Sequence, residues 1–178
     1  MSRKKIYVGD INSKNLSIIS KYLERFFYDV ETYQDGLDLL NSIFDDSKSF
    51  PDVVILDIFL KGINGYGVNR ILHENLLTAD SSIKILYYTF DDRLASVYWS
   101  LKCQHLAVAL VSKRTGEIYD IARMNEEVSK KADVKGNAVE ATSDDLPKIL
   151  NIEQKNKLLI ASLPGLLFAV QNIQSYSL

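Results

Sequence analysis

Four side chains in this sequence have types and positions that fit them for one piece of chemistry: Asp10, Asp57, Thr89 and Lys113. Each stands at or just beyond the end of a short apolar run. The runs are Ile6-Tyr7-Val8, Val53-Val54-Ile55-Leu56, Ile83 to Tyr88 and Leu106 to Val111. If these runs are parallel strands of one open sheet, the four groups share a rim, because ligands in such sheets bind beyond the carboxyl ends of the strands. Two neighbouring carboxylates repel, which favours a divalent cation or a raised pKa. Mg2+ suits a few carboxylate or carbonyl oxygens and keeps its waters. A carboxylate beside it can attack phosphorus and become an aspartyl phosphate. The cation and Lys113 would spread the charge of the transferring group, and Thr89 would donate to a phosphoryl oxygen. Taken singly, a strand-end Asp is a common turn former, a Thr a common strand-end residue and a Lys a common surface one. The inference rests on their joint placement.

The intervening segments supply the elements that must position these residues. Ser13 to Phe27 carries Leu16, Ile19, Leu23 and Phe26-Phe27 at helical spacing, with Asn12 or Ser13 as N-cap. Val30 to Tyr33 reads as a weaker strand, and Gly36 to Phe44 as a helix with Leu37, Leu40 and Ile43 on one face. The unbroken run Val53 to Leu56 reads as a strand covered on both faces, as in a parallel sheet. Gly62, Gly65 and Gly67 mark a loop before a helix ending near Leu77; a fourth helix is expected around Arg93 to Leu101, and a fifth from Gly116. Five strand-then-helix units argue for an α/β fold with right-handed crossovers.

Beyond Met124 the chain changes character. Residues 125–143 are polar and read as a helix tail and linker. Asp144-Asp145, with Pro147 in the first turn, suits a new helix start. Ile149, Ile152, Asn156, Leu159 and Leu163 then form a stripe like a short coiled-coil seam, which Pro164-Gly165 should end. The expected division is a domain over 1–124, a linker over 125–143 and a helical extension over 144–178. That extension either pairs with a second copy in a homodimer or folds back on the domain.

Composition narrows the function classes. With 21 basic against 23 acidic residues, the chain lacks the cationic footprint that holds nucleic acid. No segment has the run of roughly 18 apolar residues needed to cross a bilayer, and a signal-peptide apolar region is missing, so a cytoplasmic location is expected. Cys103 is the only cysteine, which excludes an intrachain disulfide. His73 and His105 lack ligand-spaced companions for a metal site. Tyr98 and Trp99 fall on the expected fourth helix, where packing against the sheet is their plain role.

The ordered pieces Lys5 to Asp10, Asp35 to Leu40, Pro51 to Asp57, Gly62 to Gly65, Thr89 and Val111-Ser112-Lys113 make residues 4–124 similar to the receiver domains of bacterial two-component response regulators. The resemblance implies a flavodoxin-like five-stranded parallel sheet in the order 2-1-3-4-5, with helices on both faces. It implies that Asp57 is the phosphoacceptor, Thr89 the switch hydroxyl and Lys113 the phosphate-pairing lysine. Asp10, Asp57 and the backbone carbonyl of Phe59 would be the Mg2+ ligands. A histidine kinase or phosphotransfer protein would be the partner. No enzyme activity is implied beyond Mg2+-dependent self-phosphotransfer and dephosphorylation.

The departures are specific. Gly9 replaces one of two adjacent acids, which should weaken Mg2+ binding; Leu110 replaces a mobile aromatic; Arg114 replaces a proline preceded by a cis peptide bond; and Lys61 replaces another proline. Phe59 would line the mouth of the site and restrict water. Two functions therefore compete. One is a phosphoaccepting response regulator, the other a phosphorylation-independent pseudo-receiver that acts as a protein-interaction module. A transcription regulator is a third, but the basic recognition helix it needs is missing.

Overall fold

The computed structural model describes residues 2–76, 83–90, 107–123 and 150–176. The expected fourth helix, with Tyr98 and Trp99, lies outside them, as do Cys103, His105, residues 125–143, the Asp144-Asp145 helix start, Pro147 and Ile149. Five parallel strands, β1 (Lys5–Gly9), β2 (Asp29–Tyr33), β3 (Val53–Leu56), β4 (Lys84–Thr89) and β5 (Ala107–Ser112), are ordered 2-1-3-4-5. A sixth, β6 (Ile118–Asp120), is antiparallel to β5 at the edge. The helices bounded within the described residues are α1 (Ser13–Glu24), α2 (Gly36–Ile43), α3 (Gly65–Leu76) and α4 (Ile152–Gln171), the last followed by a 3-10 turn, Ile173–Ser175.

Two-residue alternation sends successive strand side chains to opposite layers. Ile6, Val8, Val53, Ile55, Leu86 and Tyr88 face α1 and α4, while Tyr7, Val54, Leu56, Ile85 and Tyr87 face α2 and α3. Helices on both sides explain why β3 and β5 are buried along their whole length. In α1 the inward stripe is Leu16, Ile19 and Leu23, and Asn12 caps the helix by accepting from the amides of Lys14 and Asn15. In α2 the inward residues are Leu39, Leu40 and Ile43; Leu37, expected on that face, is exposed.

Three expectations are corrected. The fifth helix does not start near Gly116: the chain turns over Lys113 to Thr115, Gly116 takes a φ of +72°, and helical residues begin only at Ile121. The amide of Ser112 then donates to the Glu117 carbonyl at 2.9 Å, and the chain returns as β6. Gly65 and Gly67 lie within α3 rather than in the loop before it; a Cβ on Gly65 would stand 2.3 Å from the Asp57 carbonyl oxygen, so glycine lets this helix start against β3. Finally, α4 runs unbroken through Pro164. An interior proline costs about 3 kcal/mol. Here the carbonyl one turn earlier belongs to exposed Ile160, where water can satisfy it.

Packing supplies the compensation for α4. Leu159, Leu163, Leu166 and Val170 are buried in the same core as β1, β3, β4 and β5, and each contributes about 1.5–3 kcal/mol on burial. The helix is thus folded back on its own sheet beside α1. Ile152, the earlier member of the expected seam, is exposed. Gly165 allows the β5–β6 turn to approach, since a Cβ there would lie 2.2 Å from the Gly116 carbonyl oxygen. Among the described residues, no helix is long and apolar enough to cross a membrane.

Candidate functional site

Strand register alone brings the four expected side chains together. Gly9 pairs with Leu56, so the next residues, Asp10 and Asp57, emerge side by side, and the Asp57 amide donates to the Gly9 carbonyl at 2.8 Å. Thr89 pairs with Ser112, which places Lys113 next, its amide donating to the Thr89 carbonyl at 2.8 Å. All four side chains are buried.

Lys113 is the hub. Its Nζ lies 2.5 Å from Asp10 Oδ2 and also donates to Asp57 Oδ2. The ammonium sits over two rings as well, 5.2 Å from the centroid of Tyr88 and 5.6 Å from that of Phe90. The other Asp57 oxygen, Oδ1, accepts from the Phe59 amide at 3.0 Å and, through a long contact of 3.4 Å, from the Thr89 hydroxyl. Asp10 Oδ1 accepts from the Asn12 amide at 2.8 Å, and Oδ2 also from Asn15 Nδ2 at 3.2 Å. The Phe59 carbonyl points towards the β1–α1 loop and accepts from the Ile11 amide at 3.2 Å.

Electrostatics follow from this burial. Desolvation pushes the Asp57 carboxyl above its ordinary range; the Lys113 ammonium opposes the rise, and the Asp10 charge adds to it. Desolvation pulls the other way at Lys113, but two carboxylates outweigh it, and its pKa is raised, keeping it charged. Burial drives the Tyr88 hydroxyl up to about 12.

Among the described residues, no cluster of three or more His, Cys, Asp or Glu is arranged to hold a metal. A divalent ion would rest on two carboxylates, a main-chain oxygen and water, a set that suits Mg2+. The Oδ2 atoms of Asp10 and Asp57 already converge on one cation, the ammonium, so their orientation fits that use. The missing acid at position 9 is a matter of space as well as charge: a Cβ on Gly9 would meet Leu39 and Leu56 at 3.2 Å and Leu60 at 3.3 Å, all apolar. Leu110, at the place of the mobile aromatic, is buried among the apolar residues facing α2 and α3. No cis peptide bond occurs among the described residues.

Sequence reasoning missed several members of the site. Asn15 is a polar residue beside Leu16 on the inward side of α1, and that misplaced polarity was the available signal. Tyr88 Oη lies 2.5 Å from Ser162 Oγ, which itself donates to the Leu159 carbonyl at 2.7 Å; this tie from the site to α4 has no signal in either segment alone. A cavity of about 380 Å³ opens above Asp57, and α4 contributes Ile152, Lys155 and Asn156 to its wall.

Neither a family model nor a curated protein sequence matches the chain. Solved structures do. The phosphorylated cyanobacterial phytochrome response regulator RcpA superposes with a TM-score of 0.53 at 15% identity, over 78% of this chain and 99% of that one. A CheY-like response regulator receiver domain protein from Methanospirillum hungatei JF-1 gives 0.52 at 21%, over 76% and 98%. The chemotaxis response regulator CheY4 of Vibrio cholerae gives 0.51 at 17%, over 72% and 98%. The chain therefore has the fold of a response regulator receiver domain, with an added antiparallel edge strand.

Proposed function

We propose that this chain is a response regulator whose receiver domain accepts a phosphoryl group on Asp57 from a histidine kinase or phosphotransfer protein. The observation that carries this reading is the Asp57 carboxylate itself, buried at the end of β3 with Lys113 on one oxygen and Thr89 on the other. Its similarity to RcpA, a phosphorylated response regulator, supports the same reading.

Asp57 Oδ2 would attack the phosphorus of a donor phosphohistidine. The P–N bond breaks, and the imidazole leaves with the electron pair. Lys113 stays charged throughout and pairs with the new phosphoryl oxygens, while the Thr89 hydroxyl turns from Asp57 Oδ1 to one of them. Bound Mg2+, held by Asp10, Asp57 and the Phe59 carbonyl, would supply charge neutralisation of the transferring group.

One observation favours the second reading, a pseudo-receiver that signals by binding alone. The Lys113 ammonium already neutralises both carboxylates that would hold the ion. Intact-mass measurement after incubation with acetyl phosphate and Mg2+ separates the two. The phosphoacceptor reading expects a phosphoryl adduct on wild type and none on Asp57→Asn. No adduct on wild type, under conditions that label an ordinary receiver, would select the pseudo-receiver.

A further inference from the structure

The cavity over Asp57 carries two cationic side chains that the phosphoacceptor scheme does not use. Arg114 follows Lys113 directly and is half-buried; its Nε donates to the Phe90 carbonyl at 2.8 Å, which fixes the guanidinium at the wall of the cavity. Lys155 enters from the first turns of α4, on the opposite side of the chain's connectivity. Among the described residues, neither has an acidic partner. The nearest acid in sequence to Lys155, Glu153, pairs instead with Lys157 at 3.1 Å.

Charge balance gives these residues a purpose. On the floor, Asp10 and Asp57 against Lys113 leave one negative charge in excess, which repels an incoming anion. Among the described residues, Arg114 and Lys155 reverse that to one positive charge in excess around the cavity. Unpaired cations held at the rim of a concave site attract an anion more strongly than the same charges on an open surface, and a guanidinium fork suits phosphate oxygens. Asn156 and Asn12 add polar contacts on the same wall, and Phe59 and Phe90 add apolar ones.

We infer that Arg114 and Lys155 form an outer anion subsite that binds a small phosphate dianion above Asp57, before any transfer takes place. The inference rests on the phosphoacceptor reading for its purpose, and a cavity of about 380 Å³ has room for such an anion. Binding itself involves no bond making.

The test is an NMR titration of the full chain with inorganic phosphate at low salt. Saturable shifts are expected at Arg114, Lys155 and Phe59, weakened about threefold in Lys155→Ala and at least about tenfold in Arg114→Ala/Lys155→Ala. Raising the salt should weaken them further. Lys157→Ala, which removes a cation from the same helix, should leave them unchanged. Asp57→Asn should bind at least as tightly as wild type, because a repelling charge is gone. Lys155 is exposed, so Lys155→Glu gives a folded variant if Arg114→Ala does not. Equal phosphate affinity in wild type and in these variants would overturn the inference, as would shifts that never saturate. Saturable binding that depends on both cations, in a chain that acetyl phosphate cannot label, upholds the subsite and rejects the phosphoacceptor reading. Labelling of Asp57 at an undiminished rate in the double variant does the reverse.

Discussion

Replacing Lys113 by Met keeps the length of the side chain and removes the charge on which the site converges. At 2.5 Å and an effective dielectric constant of ~20, the Lys113–Asp10 attraction alone is about 7 kcal/mol. Most of that is offset by desolvating the ions, so the measured loss is the cost of leaving buried carboxylates without their partner, about 3–5 kcal/mol. For a chain of 178 residues this lowers Tm by roughly 10–15 °C. The sign of the pH dependence is distinctive. In the variant the Asp57 carboxyl, already raised by burial, loses the ammonium that opposes the rise, so the folded state holds its proton more tightly than the unfolded state. Stability is then greatest below the ordinary carboxylate pKa and declines as pH rises through the raised native value. Lys113→Met should therefore gain stability on acidification from about pH 8 to 5 more steeply than wild type, and Mg2+ should stabilise it more than wild type because no ammonium competes. Thermal and urea denaturation at several pH values, with and without Mg2+, read all three effects. A variant within about 1 kcal/mol of wild type at neutral pH, with no added pH dependence, would refute the claim that the ammonium holds the carboxylates together.

Asp57→Asn removes a carboxyl whose pKa is raised by burial and by Asp10, while Lys113–Asp10 remains. Wild-type stability tied to protonated Asp57 is lost as pH rises past the carboxylate range, so the variant should exceed wild type by about 1 kcal/mol near pH 7 and lose that margin on acidification, as followed by Tm. Gly9→Asp should not rebuild an acidic pair: its Cβ meets Leu39, Leu56 and Leu60, so a loss of about 2 kcal/mol or more in denaturant midpoint is expected, without tighter Mg2+ binding by calorimetry. Gly165→Ala should push the β5–β6 turn off α4, costing about 1–3 kcal/mol and raising amide exchange across β6, whereas Pro164→Ala at the exposed neighbouring position should raise Tm.

The central strands and the rim were legible because they obey local rules. Val53 to Leu56 is apolar without interruption because it is covered on both faces, and Asp57 follows at its end. What the sequence hid depends on pairing across the chain. β6 is three residues long, too short for alternation to register, and Gly116 marks a turn there rather than a helix start. Pro164 obeys its local rule as a helix breaker until the burial of Leu159, Leu163 and Leu166 outweighs it. That Lys113 binds Asp10 as well as Asp57 follows from register, and the Tyr88–Ser162 bond joins residues 74 positions apart.

The placement of α4 has a consequence for how the chain acquires its structure during synthesis. The face that β1, β3, β4 and β5 turn towards α1 is complete by Ser112, yet α4, which packs on that same face, starts at Ile152. At roughly 5–20 residues per second, a nascent chain would carry Val8, Ile55, Leu86 and Val111 without that cover for several seconds. Contacts closed over so long a sequence separation also slow folding. Expression yield should therefore depend on a chaperone that shields this face, and a chain cut after residue 124 should aggregate although it retains every strand of the sheet.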